Sequence, residues 1–339
     1  MRQGSATIRD VAREAAVSVA SVSRVMNGHV SVHPETRARI MAVAQSLGYV
    51  PHAGARSLSL SRSHAIGVVL PDLHGEFFSE IVRGMDREVT ARGYHLLLSN
   101  MHADAVLAAQ AVRSMRGRVD GMIVMAPQLD TQALDEALPP DMPAMLVNSS
   151  PGVARAALRI DNAAGIAASV AHLVAQGRRA LVHVSGPPAN IDAEERRRGF
   201  LDAMARLAPE VEPIVIAGDF HEESGGAAVA MLRARGIACD GIVAANDMMA
   251  LGVMAALRTA GVDVPGAVAV TGFDDIPLAR YLGLTTVRAP MAEMGARAVA
   301  RLIDALEGGE LRPEAETIAT ELVIRSTTPG SVIGSGGSL

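Results

Sequence analysis

Apolar positions near the N-terminus recur at helical spacing. Ile8, Val11, Ala12 and Ala15 follow the i, i+3, i+4, i+7 pattern of one helix face. Thr7 precedes them with Asp10 three residues on, the spacing of a capping box. Val17-Ser18 makes a turn, with Ser18 as N-cap, and a second helix runs from Val19 to about Met26 with Val22, Val25 and Met26 inward. Asn27-Gly28 stops it. A third helix starts at Pro34, a residue suited to a first helical turn, and ends before Gly48; its buried face is Ile40, Val43, Ala44 and Leu47. Residues 49–62, YVPHAGARSLSLSR, form a linker with a helical turn or two from Ala53 to Ser59. Isolated helices below ~12 residues are marginal in water, and Gly54 costs this one roughly another 0.5–1 kcal/mol relative to Ala.

From Ser63 the texture changes to short apolar runs alternating with amphipathic helical stretches. The strand candidates are Ile66–Pro71, His95–Ser99, Gly121–Ala126, Ala144–Asn148, Ala180–Ser185, Ile214–Ala217, Gly241–Ala245 and Ala267–Gly272. Such alternation predicts an α/β fold with parallel sheets, here as two doubly wound units over roughly 63–161 and 162–290. The tail, residues 331–339, is Gly/Ser-rich and reads as disordered. It has no heptads, so no C-terminal coiled coil is available for assembly beyond a dimer.

Composition sharpens this division. Hydrophobic residues make up 49% of the 339, enough for a sizeable core, but aromatics only 2%. That core must be Ala, Val, Leu, Ile and Met. The net charge of −5 hides an asymmetry: residues 1–62 hold eight Arg against Asp10, Glu14 and Glu35, giving +5, which leaves −10 for the rest. A basic module on an acidic body fits a nucleic-acid partner for the module alone. The single cysteine, Cys239, excludes an internal disulfide and reads as a small apolar filler. The N-terminus MRQGSATIRD is no signal peptide, and no apolar run approaches the ~18 residues of a membrane span. The expectation is a cytoplasmic protein.

Ligands of parallel α/β sheets meet the carboxyl ends of the strands. There stand Asp72, Phe77, Phe78, Asn148, Asn190, Asp192, Glu195, Arg196, Asp219, Phe220, Asn246, Asp247, Asp274 and Asp275. Short carboxylates, amides, an arginine and a few aromatic faces suit a sugar: polar groups bond vicinal hydroxyls, and a ring covers the apolar side of the pyranose. Asp and Asn after strands are also ordinary helix N-caps, the more common role for any one of them. There is no GxGxxG after the first strand, no GxxxxGK[ST], GxSxG or HExxH, and the ten histidines show no metal-ligand spacing. These absences predict neither enzyme activity nor a cofactor or metal.

At TIRDVAREAAVSVASVSRVMNG the chain resembles the lac repressor family of bacterial transcription regulators. The likeness continues in family order through PETRARIMAVAQSLGYVPHAGARSL, IGVVLPDLHGEFFSEIVRGM, RVDGMIVM, RRGF, NDMMALGVMAAL, VPGAVAVTGFDDIPLARY and LTTVRAP. It implies a helix-turn-helix headpiece over 1–50 and a hinge helix over 51–62. It implies a periplasmic-binding-protein-like core of two subdomains, 63–161 plus 291–320 and 162–290 plus 321–330, with crossovers near Asp161–Asn162, Pro290–Met291 and Thr320–Glu321. A homodimer on a palindromic, double-stranded operator is implied too. Val19, Ala20 and Arg24 would face base edges. Thr7, Ser18, Ser21, Ser23 and Asn27 would meet phosphates. Leu58 would wedge into the minor groove from a hinge helix that also carries Ala53, Ala55 and Arg56. For the effector the resemblance carries over to Phe77, Phe78, Asn190, Asp192, Arg196, Phe220, Asn246 and Asp274, and Asp72 and Asn148 join them from the strand-end set.

Together these features predict a dimeric repressor of carbohydrate-utilisation genes with a mono- or oligosaccharide effector. Two alternatives stay open. One is the same architecture with a nucleoside or purine corepressor, which the Phe-Phe pair, Asn190 and Asp192 argue against. The other is a transport sugar-binding protein without DNA function, which the basic headpiece argues against.

Overall fold

The computed structural model describes residues 6–26, 32–49, 62–72, 75–101, 105–129, 131–149 and 155–328. Asn27, Ala53, Ala55, Arg56 and Leu58 lie outside these, as does the tail. The chain divides into two compact units, one spanning residues 1–64 with 117–120, the other holding the rest.

The first unit carries α1 (Ile8–Glu14), α2 (Val19–Met26) and α3 (Pro34–Ser46). Thr7 and Asp10 cap α1 reciprocally: Thr7 N donates to Asp10 Oδ2 at 2.9 Å and Asp10 N to Thr7 Oγ1 at 3.3 Å. Val11, Ala12, Ala15, Val22, Val25, Ile40 and Ala44 close a small core. Leu47 corrects the expected face of α3: it is 38% exposed, because the helix ends at Ser46 and Tyr49 packs against the core instead.

The second unit holds two six-stranded sheets. Its elements run β1 (Ala65–Leu70), α4 (Glu76–Ala91), β2 (His95–Asn100), α5 (Ala105–Met115), β3 (Gly121–Met125), α6 (Thr131–Ala137), β4 (Ala144–Val147), β5 (Ala156–Ile160) and α7 (Asn162–Ala175). They continue as β6 (Leu181–Ser185), α8 (Ile191–Leu207), β7 (Ile214–Ala217), α9 (Glu222–Ala234), β8 (Gly241–Ala244), α10 (Asp247–Thr259), β9 (Ala269–Asp274), α11 (Pro277–Tyr281), β10 (Thr285–Arg288), α12 (Met291–Leu306), β11 (Ala315–Ile318) and β12 (Glu321–Val323). The sheet orders are β11-β5-β4-β3-β1-β2 and β12-β10-β9-β8-β6-β7. All pairings are parallel except β12 against β10.

The chain therefore leaves the first sheet after β5, returns through α12 to β11, and leaves again for β12. Helices cover both sheets, and the central strands are buried throughout, as parallel strands between helix layers must be. Four observed strands, β5, β10, β11 and β12, are absent from the sequence-based strand set. Each is five residues or fewer and carries a charged residue, Arg159, Arg288, Glu316 or Glu321, so none presents a continuous apolar run of the usual strand length.

Candidate functional site: a cleft between two sheets and an exposed helix of the headpiece

In the headpiece, α2 buries Val22 and Val25 and leaves Val19, Ala20 and Arg24 exposed. Val19 is 42% exposed although apolar, so packing does not account for it. Ser18 caps α2, accepting from Ser21 N at 3.1 Å, and the two hydroxyls lie 3.0 Å apart. Thr7 is exposed and Ser21 and Ser23 half-exposed. The turn before α2 places Ala16 in the left-handed region at φ 49°.

The carboxyl ends of both sheets in the larger unit enclose a cleft of about 730 Å³. Asp72, Phe77, Phe78, Asn190, Asp192, Arg196, Phe220, Asn246 and Asp274 all line it. Asn148 does not. It follows β4, is buried, and has no hydrogen-bond partner for either side-chain polar atom among the described residues.

Arg196, projecting from α8, organises the floor. Its Nε donates to Asn162 Oδ1 at 2.8 Å and its Nη1 to the Ala245 carbonyl at 2.6 Å. Nη1 also lies 3.5 Å from Asp274 Oδ1, and the guanidinium carbon sits 3.7 Å from the Phe273 ring centroid. Asp192, one helical turn earlier on the same face, accepts from Asn162 Nδ2 at 2.9 Å. The capping alternative holds for both amides and leaves them in the lining: Asn190 Oδ1 accepts from Ala193 N at 3.1 Å, and Asn246 Oδ1 from Met249 N at 3.0 Å. Asn246 Nδ2 also donates to the Phe220 carbonyl at 2.9 Å.

Charge is crowded here. Burial pushes the Asp274 carboxyl up to about 7 against the opposing pull of Arg196, and it pushes Asp192 up as well. Asp247, behind Asp274, is raised well above the usual carboxylate range by burial and by Asp274 itself. It is held by the Thr286 hydroxyl and by Ile276 N at 2.9 Å. Phe220 and Asp274 occupy positive φ, 72° and 114°, conformations that cost of order 1–3 kcal/mol and gather at binding sites.

Three features escaped sequence reasoning. Asn162 opens α7 after the first crossover and bonds both Arg196 and Asp192; its signal was only its place next to Asp161. Two hydrogen bonds cross the cleft, Ile191 N to the Pro127 carbonyl at 2.9 Å and Leu278 N to Glu76 Oε2 at 3.2 Å. Glu222 and Glu223 extend the lining from α9. Among the described residues there is no group of three or more His, Cys, Asp or Glu side chains placed to hold a metal ion, and no helix long and apolar enough to cross a membrane.

A helix-turn-helix unit joined to a two-sheet core with a polar and aromatic cleft defines the class: a ligand-binding core of periplasmic-binding-protein type carrying a DNA-binding headpiece. Residues 7–52 match "Bacterial regulatory proteins, lacI family" and residues 170–328 the "Periplasmic binding protein-like domain". The chain is 32% identical over 327 residues to the ribose operon repressor of Halalkalibacterium halodurans, covering 96% of this chain and 97% of the relative. It superposes on the lac repressor dimer bound to operator and the anti-inducer ONPF with a TM-score of 0.88 at 28% identity, covering 96% of this chain and 100% of that one. For the transcriptional regulator CelR–cellobiose complex the TM-score is 0.70 at 29% identity, over 95% and 99% of the two chains. The chain belongs to the lacI family of bacterial regulatory proteins.

Proposed function

We propose that this protein is a cytoplasmic, non-catalytic repressor of carbohydrate-utilisation genes that binds a palindromic operator as a homodimer and takes a saccharide effector in its cleft. The observation that carries the effector is the convergence of Asp192, Arg196, Asn246 and Asp274 with the faces of Phe77, Phe78 and Phe220 in one cavity. Charged and amide groups satisfy hydroxyls bidentately while the rings cover C–H faces. The names of similar proteins, a ribose operon repressor and a regulator in complex with cellobiose, support the same class.

On the DNA side, Arg24 reads guanine O6 and N7 with ~1–3 kcal/mol of discrimination, and Val19 and Ala20 offer apolar contact to a thymine methyl. Thr7, Ser18, Ser21, Ser23 and Asn27 hold phosphates, and the hinge, with Ala53, Arg56 and Leu58, enters the minor groove. The domain division follows: 1–50 headpiece, 51–62 hinge, and a core whose subdomains meet at the cleft. An effector that binds one relative orientation of the subdomains better than the other shifts the population between them. The hinge converts that shift into operator affinity, because a linker that folds only on DNA amplifies a small bias.

A thermal-shift screen of the full-length protein against saccharides, nucleosides and nucleobases, followed by gel-shift titration on operator DNA with each hit, tests this reading. A saccharide that raises Tm and changes operator affinity is expected. Operator affinity that ignores every saccharide but follows a nucleobase would replace the sugar with a purine-type corepressor.

A further inference from the structure

Glu195 belongs to the strand-end polar set of the sequence, yet it does not line the cleft. Its carboxylate instead pairs with Arg159 of β5, in the first sheet, with the two side chains 16% and 17% exposed. Among the ion pairs between described residues, this one alone joins the layer of the first sheet to that of the second.

The same carboxylate reaches the cleft floor through a single residue. Glu195 Oε2 accepts from Asn162 Nδ2 at 3.0 Å, and that nitrogen also donates to Asp192 Oδ1 at 2.9 Å. Asn162 Oδ1 accepts from Arg196 Nε at 2.8 Å. A side-chain amide has two N–H donors, so Asn162, which is buried, has both committed. A group that draws Asp192 or Arg196 toward the cavity therefore pulls on the amide that holds Glu195. Asp192 also registers the pair electrostatically: burial raises its carboxyl most, Arg196 and Asn162 lower it, and Glu195 and Arg159 add a smaller rise and fall.

Helix α8 can carry that pull. Gly199 brings it against α7 so closely that an added Cβ would stand 2.8 Å from Ala163 Cα, which makes the two helices one body. The first turns of α8 are tied to the first-sheet layer at two points one helical turn apart: Ile191 N donates to the Pro127 carbonyl at 2.9 Å, and Glu195 meets Arg159. Parting the ion pair would leave two largely buried charges uncompensated, so orientations of the sheets that keep it are favoured.

We infer that the Arg159–Glu195 ion pair couples the cleft floor to the relative orientation of the two sheet layers, and through it to operator affinity, with Glu195 acting through Asn162 as a positioning residue. This rests on the effector-responsive reading above and names its means of transmission. A pair that only adds stability would lower the unfolding midpoint when cut and leave operator affinity alone. A coupler changes the population of the orientation that binds DNA.

Full-length wild type, Arg159→Gln, Glu195→Gln, the double variant and Arg159→Lys are compared by fluorescence anisotropy on DNA selected by the wild-type protein, first with no saccharide present. Each single Gln variant should shift the operator dissociation constant by at least about fivefold, in the same direction. The double variant should match the singles and not the product of their effects, and Arg159→Lys, which keeps the charge, should stay near wild type. Glu195→Gln keeps the side-chain volume and an oxygen for Asn162, and urea unfolding shows whether each variant is folded under the assay conditions; if one Gln variant is not, the other decides. The titrations are then repeated at saturating D-ribose, D-galactose, D-glucose and cellobiose, where any change seen in wild type should be several-fold smaller in Glu195→Gln. Operator affinities unchanged in the folded Gln variants, or effects that multiply in the double variant, overturn the inference. A wild type indifferent to these saccharides counts against the effector reading alone, since the first comparison contains no sugar.

Discussion

Asn162 does not line the cleft, but it sets two of the side chains that do. Its Oδ1 accepts from Arg196 and its Nδ2 donates to Asp192 and to Glu195 Oε2 at 3.0 Å, all from the first turn of α7 beside the crossover. Asn162→Ala would strip a buried guanidinium and a buried carboxylate of a partner each. A loss of about 1–3 kcal/mol in urea unfolding is expected, together with weaker effector binding by calorimetry; an unchanged midpoint would contradict the positioning role. His183 is a second residue with a defined consequence. It is buried in β6, stacked on Phe200 at 5.1 Å, with Nδ1 2.8 Å from the Val243 carbonyl. A carbonyl only accepts, so the neutral ring carries its proton on Nδ1. Burial lowers its pKa from 6.5 to about 4. The unfolded chain therefore binds the extra proton first: this contribution to stability is complete above about pH 6.5 and is lost as pH falls toward 4, by about 3 kcal/mol at most. Unfolding free energies of wild type and His183→Gln, measured from pH 7.5 to 4.5, should converge on acidification. Parallel curves would show that His183 is not held neutral by the fold.

At the scale of elements, tight helix pairing sets the shape of the core. Gly84 on α4 faces α12 so closely that an added Cβ would stand 1.9 Å from the Ala292 carbonyl oxygen. Backbone cannot yield cheaply there, so Gly84→Ala should cost about 1–3 kcal/mol through forced separation of the two helices, read as a lower unfolding midpoint. Gly252 on α10 stands in the same relation to Glu222 at 1.8 Å and anchors the start of α9, where Glu222 and Glu223 enter the cleft. The sequence made the helices of the headpiece and the central strands readable, because Val22 and Val25, or Val68 and Val69, are placed by periodicity and β-propensity. It did not disclose β5 or β10–β12, whose Arg159, Arg288, Glu316 and Glu321 serve ion pairs rather than a core. Leu47 differs from its expected burial for a related reason: the helical periodicity of the sequence continues past Ser46, where the helix stops.

In the molecule as a whole, the parallel order of both sheets brings distant strand ends to one cavity. That is why Asp192, Arg196, Asn246 and Asp274 could be grouped from sequence position alone. Asn148 satisfied the same positional rule and still lies outside the lining, since the rule locates a strand end and not a side-chain direction. Asn162 and the cross-cleft bonds from Ile191 to Pro127 and from Leu278 to Glu76 depend on how the chain passes between sheets, which no local pattern records. Those two bonds, with the three passages of the chain, are where a bound effector would bias one subdomain against the other.

Occupancy of this cleft is proposed to set operator affinity. The ratio of operator dissociation constants with and without saturating saccharide, measured by fluorescence anisotropy on DNA selected by the full-length protein, tests it most directly. Wild type and Asp274→Asn would be compared. A change of at least about tenfold in wild type, collapsing toward one in Asp274→Asn, is the predicted result. An operator affinity indifferent to every bound saccharide, or an Asp274→Asn protein that responds as wild type does, would contradict it.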